Sequence, residues 1–154
     1  MDITLGTLDA TDDDAVARLL QRSLHDWYER RLRQGARFGT DPAPFRIFPR
    51  VYRRLDAGQE IAARDASGRL VGVCFAHPRE THHSIGIVAT DPDVGGRGVA
   101  RLMVEEALRR ADGAGREADR WTAGGLRMRH PRGGHGDLEI LVDRARLEAD
   151  SAVE

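Results

Sequence analysis

The chain has 154 residues, about the length of one domain. Hydrophobic residues make up 40% and charged residues 32%, the balance of a core-forming domain with a charge-rich surface, which excludes a disordered chain. The net charge of −1 gives no whole-molecule attraction to nucleic acid or anionic membrane, and no run of about 18 apolar residues is present to span a bilayer.

The N-terminal stretch lacks the basic-then-apolar layout of a signal peptide, so a cytoplasmic location is expected. Residues 2–8 read as a short first strand. Thr11, Asp12, Asp13 and Asp14 have the form of a capping box, with carboxylates where a helix N-terminus favours them. Val16, Leu19, Leu20, Leu24, Trp27 and Tyr28 follow at helical spacing and predict a helix of about four turns. Residues 34–44, with Gly35, Gly39, Pro42 and Pro44, read as a loop. A second helix is expected from Pro49, with proline at its first position, through Leu55 to Gly58.

Residues 60–90 read as three short-connected antiparallel strands: 60–65, 70–77 and 81–90. Residues 91–98 form a glycine-rich turn. A helix is then expected over 99–112, with Ala100, Met103, Val104, Ala107, Leu108 and Ala111 on its apolar face. Residues 116–136 are rich in Arg and Gly, carry few large apolar groups, and are expected to be largely irregular. Residues 138–147 regain an apolar pattern that fits a strand or a helix equally, and are expected to form one element docked on the sheet. The fold class expected is α/β: a mixed, mostly antiparallel sheet with helices on both faces.

Two residue types are missing. All 24 basic residues are Arg, and there is neither Lys nor Asn. Without Lys there is no Walker-type phosphate-loop lysine and no Schiff-base lysine. The single cysteine, Cys74, lies in the apolar run LVGVCF and reads as a core residue; one cysteine cannot form an internal disulfide or a multi-cysteine zinc site. His130 and His135 lack the partners of a zinc motif, so no metal is expected.

The chemically informative segment is strand, turn, helix: Ser84 to Thr90, then Asp91-Pro-Asp-Val-Gly-Gly-Arg-Gly-Val-Ala100, then Arg101. A helix N-terminus offers unpaired N–H groups and partial positive charge. Gly95, Gly96 and Gly98 permit close backbone approach, and Arg97 and Arg101 add charge at the rim. The combination suits a pyrophosphate. A tight turn that merely needs glycine is the plainer alternative.

On this segment the sequence resembles the GNAT superfamily of acyl-CoA-dependent N-acyltransferases. Gly98 and Ala100 match the small residues of that family's Gln/Arg-x-x-Gly-x-Gly/Ala signature, while Gly95 stands where the family has Gln or Arg. The order of elements also matches over residues 1–116, which are expected to form the acyl-CoA-binding core, with 117–154 a divergent tail. The resemblance implies a strand splayed from its neighbour, with the backbone of Ile87, Val88 and Ala89 pairing with the pantetheine arm. It implies Gly95, Gly96, Arg97, Gly98, Val99, Ala100 and Arg101 as the pyrophosphate cradle, and direct attack of an amine on the thioester of acetyl-CoA. The amine must lose a proton and the oxyanion must be stabilised. Glu80 and His82 are the proton-acceptor candidates, with His83 beside them; adjacent strand residues face opposite ways, so His82 and His83 cannot both face the cleft. No tyrosine follows Tyr52 to protonate the leaving thiolate, and that role stays unassigned.

The expected function is therefore an N-acetyltransferase acting on an amine of a small molecule or peptide. The alternative is a non-catalytic acyl-CoA-binding or regulatory module with a degenerate C-terminal half. Partners expected are acyl-CoA and an amine, with a homodimer allowed and no nucleic acid or membrane. Arg46, Arg50, Arg53 and Arg54 lie near one helical face and read either as a solvated surface or as a contact for an acidic ligand. Should 138–142 not fill the place beside the splayed strand, the cleft is expected to lie open to water, with slow turnover.

Overall fold

The computed structural model describes residues 2–80, 83–113, 121–123, 126–128 and 140–142. Strands β1 (Ile3–Gly6), β2 (Glu60–Asp65), β3 (Leu70–Pro78) and β4 (His83–Thr90) form one antiparallel sheet in that order. Short connections make the antiparallel arrangement easy. At the β2–β3 turn the Asp65 carboxylate accepts from the Ser67 amide at 2.9 Å and the Arg69 amide at 3.2 Å, while Gly68 takes a left-handed φ of +82°.

Strand alternation divides the apolar residues between two cores. Ile61, Ala63, Cys74, Ala76 and Ile85 pack against Val99, Met103, Val104 and Ala107 of α3 (Val99–Gly113). On the opposite face Ala62, Val73, Phe75 and Ala89 pack against Val16, Leu19 and Leu20 of α1 (Asp13–Leu32), with Phe48 and Tyr52 of α2 (Ile47–Leu55) alongside. The expected α/β layering, with helices on both faces, is what forms.

β4 carries a bulge. Cys74 pairs with Val88 and Ala76 with Ile85, so Gly86 and Ile87 together oppose Phe75. A second antiparallel sheet comprises β5 (Trp121–Ala123), β6 (Leu126–Met128) and β7 (Ile140–Val142). β5 lies beside β4, yet the two sheets share no ladder. Among the described residues no helix is long and apolar enough to cross a membrane.

Several local readings are corrected. The capping box is Asp9 with Asp12, not Thr11 with Asp14: Asp9 accepts from the Thr11 amide at 2.6 Å and Asp12 accepts from the Asp9 amide at 3.0 Å, which inserts a 3-10 turn before α1. α1 runs for 20 residues, longer than the apolar spacing required, because Glu29 to Leu32 are good helix formers; it ends at Arg33, whose φ is +58°. Residues 35–38 and 43–46 are 3-10 turns within the expected loop. α2 begins at Ile47, continuing the second of these turns, so Pro49 is its third residue; a missing N–H costs nothing anywhere in that first turn. β4 is described from His83, and residues 81–82 lie outside the description.

The tail differs most. β5 and β6 fall inside the stretch expected to be irregular, and β5, not 138–142, stands beside β4. Backbone pairing needs no apolar pattern, and Gly124-Gly125 between two short runs was a hairpin signal available in the sequence. The ambiguous 138–147 pattern is a strand at Ile140–Val142.

Candidate functional site

β4 delivers the chain into the glycine turn, and Asp91 fixes that junction. Its amide donates to the Val71 carbonyl at 2.9 Å and its carboxylate accepts from the Asp93 amide at 2.9 Å. The same buried carboxylate receives Arg22 from α1 and Arg69 from the β2–β3 turn, both at 3.0 Å. A 3-10 turn, Pro92–Val94, follows. Gly96 and Gly98 adopt φ of +75° and +79°, and a Cβ at either would meet nothing within 4 Å. They are exposed, so a ligand can approach the backbone at both positions.

The cradle residues are brought together at one point. Val99 and Ala100 open α3, where first-turn amides lack a partner within the helix. The Arg97 amide donates to the Val94 carbonyl at 3.3 Å and the Gly95 amide to Pro92 at 3.1 Å, so these two shape the turn. Arg97 and Arg101 are exposed at the rim, with Arg101 pairing Glu105 at 2.7 Å. Ile87 and Val88 are half-buried and Ala89 is buried, on the strand whose outer neighbour β5 is unladdered. These positions form one continuous stretch that runs from the β4 edge into the glycine turn and the start of α3.

Of the proton-acceptor candidates, Glu80 is exposed just beyond β3, His83 is buried, and His82 lies outside the described residues. A different group sits at the end of β3, on the face toward α2. His77 Nδ1 lies 2.7 Å from Asp56 Oδ2, and Arg79 donates to Asp56 Oδ1 at 2.6 Å. Burial works to raise the Asp56 carboxyl, but the hydrogen bonds from Arg79 and His77 outweigh it and hold the group below the usual carboxylate range. The Tyr52 ring packs 4.8 Å from the His77 ring and 4.6 Å from Phe75. Tyr52, Leu55, His77, Ser84 and Gly86 line a concavity of about 350 Å³. A second one, about 380 Å³, lies between α1 and the Pro92–Asp93 turn.

Arg46 pairs with Asp14 at 2.6 Å, Arg50 with Asp13 at 3.1 Å, and Arg53 also with Asp13, so these arginines bind α2 and the turn before it to α1. Cys74 is buried, and burial pushes its thiol up to about 12, leaving it neutral and unreactive. His130 and His135 lie outside the described residues. Among the described residues no group of three His, Cys, Asp or Glu side chains could hold a metal ion.

A four-stranded antiparallel sheet between helices, with a strand ending in a glycine-rich turn that opens a helix, defines a mixed α/β protein. The family model for the GNAT acetyltransferase domain matches residues 2–145, and the chain belongs to that family. The match runs past residue 116, through β5, β6 and β7. No curated protein matches significantly. The fold is shared with the PaiA N-acetyltransferase of Thermoplasma acidophilum, solved in complex with coenzyme A, at 10% identity and a TM-score of 0.62, covering 99% of this chain and 89% of that one. Ard1 of Thermoplasma volcanium is similar at 19% identity and TM-score 0.56, covering 75% and 68%. A GCN5-related N-acetyltransferase of Rhodopseudomonas palustris is similar at 17% identity and TM-score 0.57, covering 75% and 69%.

Proposed function

We propose that this chain transfers an acyl group, acetyl in the first instance, from acyl-CoA to an amine. The observation that carries the reading is the continuity of β4 with the cradle: a strand edge unladdered to β5 runs directly into two positive-φ glycines and the N-terminus of α3. Gly96, Gly98, Val99 and Ala100 offer backbone to the pyrophosphate, Arg97 and Arg101 its rim charge, and 87–89 the edge for the pantetheine. The family assignment and the coenzyme A complex of the Thermoplasma acidophilum relative support acyl-CoA as the ligand.

Calorimetry with CoA tests the cradle. Gly98→Val forces a β-branched residue into φ of +79° and is expected to weaken binding at least about tenfold. Arg97→Ala is expected to cost less, because the main contact is backbone. A Gly98→Val chain binding CoA as the parent does defeats the assignment. Binding without transfer to any amine in a panel favours the non-catalytic module, to which the lack of a tyrosine after Tyr52 also points.

A further inference from the structure

We propose that His77, oriented by Asp56, is the proton acceptor for the amine, in place of Glu80 and His82. The inference rests on the acyl-transfer reading above and deepens it. His77 lies near the end of β3, on the face that packs against α2, as Val73 and Phe75 do. Ser84 lies across from it, and two residues back along β3, opposite Phe75, β4 bulges at Gly86-Ile87. A Cβ built on Gly86 would stand 2.7 Å from His77 Nε2, so that nitrogen lies directly over the bulged backbone. This is the strand whose other edge faces the gap to β5.

The protonation pattern of the ring follows from its partners. Asp56 is ionised and can only accept, so the hydrogen between it and His77 belongs to Nδ1. Arg79 occupies the remaining Asp56 oxygen at 2.6 Å and keeps the carboxylate charged. Nε2 of the neutral ring then holds the lone pair. It looks into the concavity walled by Tyr52, Leu55 and Gly86, which admits a small acceptor group. Tyr52 packs on the ring and limits its rotation. No other described histidine combines a carboxylate partner with a place on this cavity.

His77 Nε2 takes one proton from the acceptor's ammonium. The freed lone pair forms the N–C bond at the thioester carbonyl, whose π pair moves to oxygen. When the carbonyl re-forms, the C–S bond breaks and its electron pair leaves on sulfur. The nitrogen gives its second proton to solvent, and the His77 imidazolium returns the first to the thiolate. Ammonium and thioester thus yield amide, thiol and one released proton. The same ring serves the leaving group, the role for which no later tyrosine exists.

The test compares the parent, His77→Ala, His77→Gln and Asp56→Asn. CoA binding is measured by calorimetry. Transfer from acetyl-CoA is followed by thiol release, offering a free-N-terminus tetrapeptide, a polyamine and an arylalkylamine. Both His77 variants are expected to bind CoA within about threefold of the parent while transfer falls about 10²- to 10⁴-fold. Added imidazole is expected to restore part of the rate to His77→Ala, which a purely structural role would not allow. Asp56→Asn is expected to lower transfer with CoA affinity kept. Should His77→Ala fail to fold, His77→Gln carries the comparison. Transfer by His77→Gln near the parent rate, or a folded His77→Ala that imidazole leaves unchanged, overturns the assignment and leaves acyl transfer standing. A parent that binds no CoA, or acylates none of the amines, overturns both.

Discussion

A side chain at position 86 has nowhere to go. Its Cβ would lie 2.7 Å from His77 Nε2 and 3.6 Å from the Phe75 carbonyl, and the ring cannot retreat without leaving Asp56. Gly86→Ala is therefore expected to slow transfer by about tenfold or more and to cost CoA affinity less, because position 86 adjoins the proposed pantetheine edge at 87–89 but lies away from the turn at 95–101. Steady-state rates beside calorimetry read the split, and equal losses in both would place the damage in the fold. The strand, glycine turn and helix proposed as the cradle were legible in the sequence because they are contiguous, from Ser84 to Arg101. The His77–Asp56 pair was not. The two residues are 21 apart, one near the end of a strand and the other just past a helix, and no local period joins them. The one available signal was a histidine ending an apolar strand otherwise rich in Val and Phe.

Among the elements, the Asp91 junction holds three pieces of chain together: α1 through Arg22, the β2–β3 turn through Arg69, and the start of the cradle through its own amide and the Asp93 amide. The carboxylate is buried while both arginines are half-exposed, so losing it frees the arginines to water but leaves the Asp93 amide without its acceptor. Asp91→Ala is expected to destabilise the chain by about 1–3 kcal/mol and to loosen CoA binding as well, read by denaturant unfolding and calorimetry. A variant as stable as the parent would show the junction to be idle. Elements of this length were readable from periodicity: α3 and β2 stand where their patterns put them. The short strands β5 and β6 were not, because three residues are too few to show an alternation and their stability comes from pairing.

At the level of the whole molecule, two cores share one sheet, and α3, which covers one of them, is braced by charge along its own length. Glu106 accepts from Arg109 at 2.7 Å and Arg110 at 2.8 Å, and Arg110 reaches the Gly58 carbonyl. The bond from Arg109 lowers the Glu106 carboxyl most; burial opposes it, Arg110 adds to the lowering, and the group settles from 4.5 to about 2. Because the folded value is depressed, this contribution is present in full above pH 4.5 and fades as the pH falls toward 2. Glu106→Gln is expected to melt below the parent at neutral pH and to converge with it near pH 2. Melting curves across that range check the sign; a gap that widens on acidification would reverse it.

The bulge in β4 also separates what the chain needs to fold from what it needs to react. Ile85 and Val88 belong to the α3 core, Ile87 and Ala89 to the α1 core. With Gly86 excised, residues 85, 87, 88 and 89 fall opposite 76, 75, 74 and 73 in unbroken alternation, and every one keeps the core it already serves. A one-residue deletion in a central strand ordinarily turns its side chains inside out. Here the surplus residue is invisible to both cores, so the shortened chain is expected to assemble and melt close to the parent, with a flat strand under His77 and no transfer. The insertion can thus be subtracted to leave the scaffold without its chemistry.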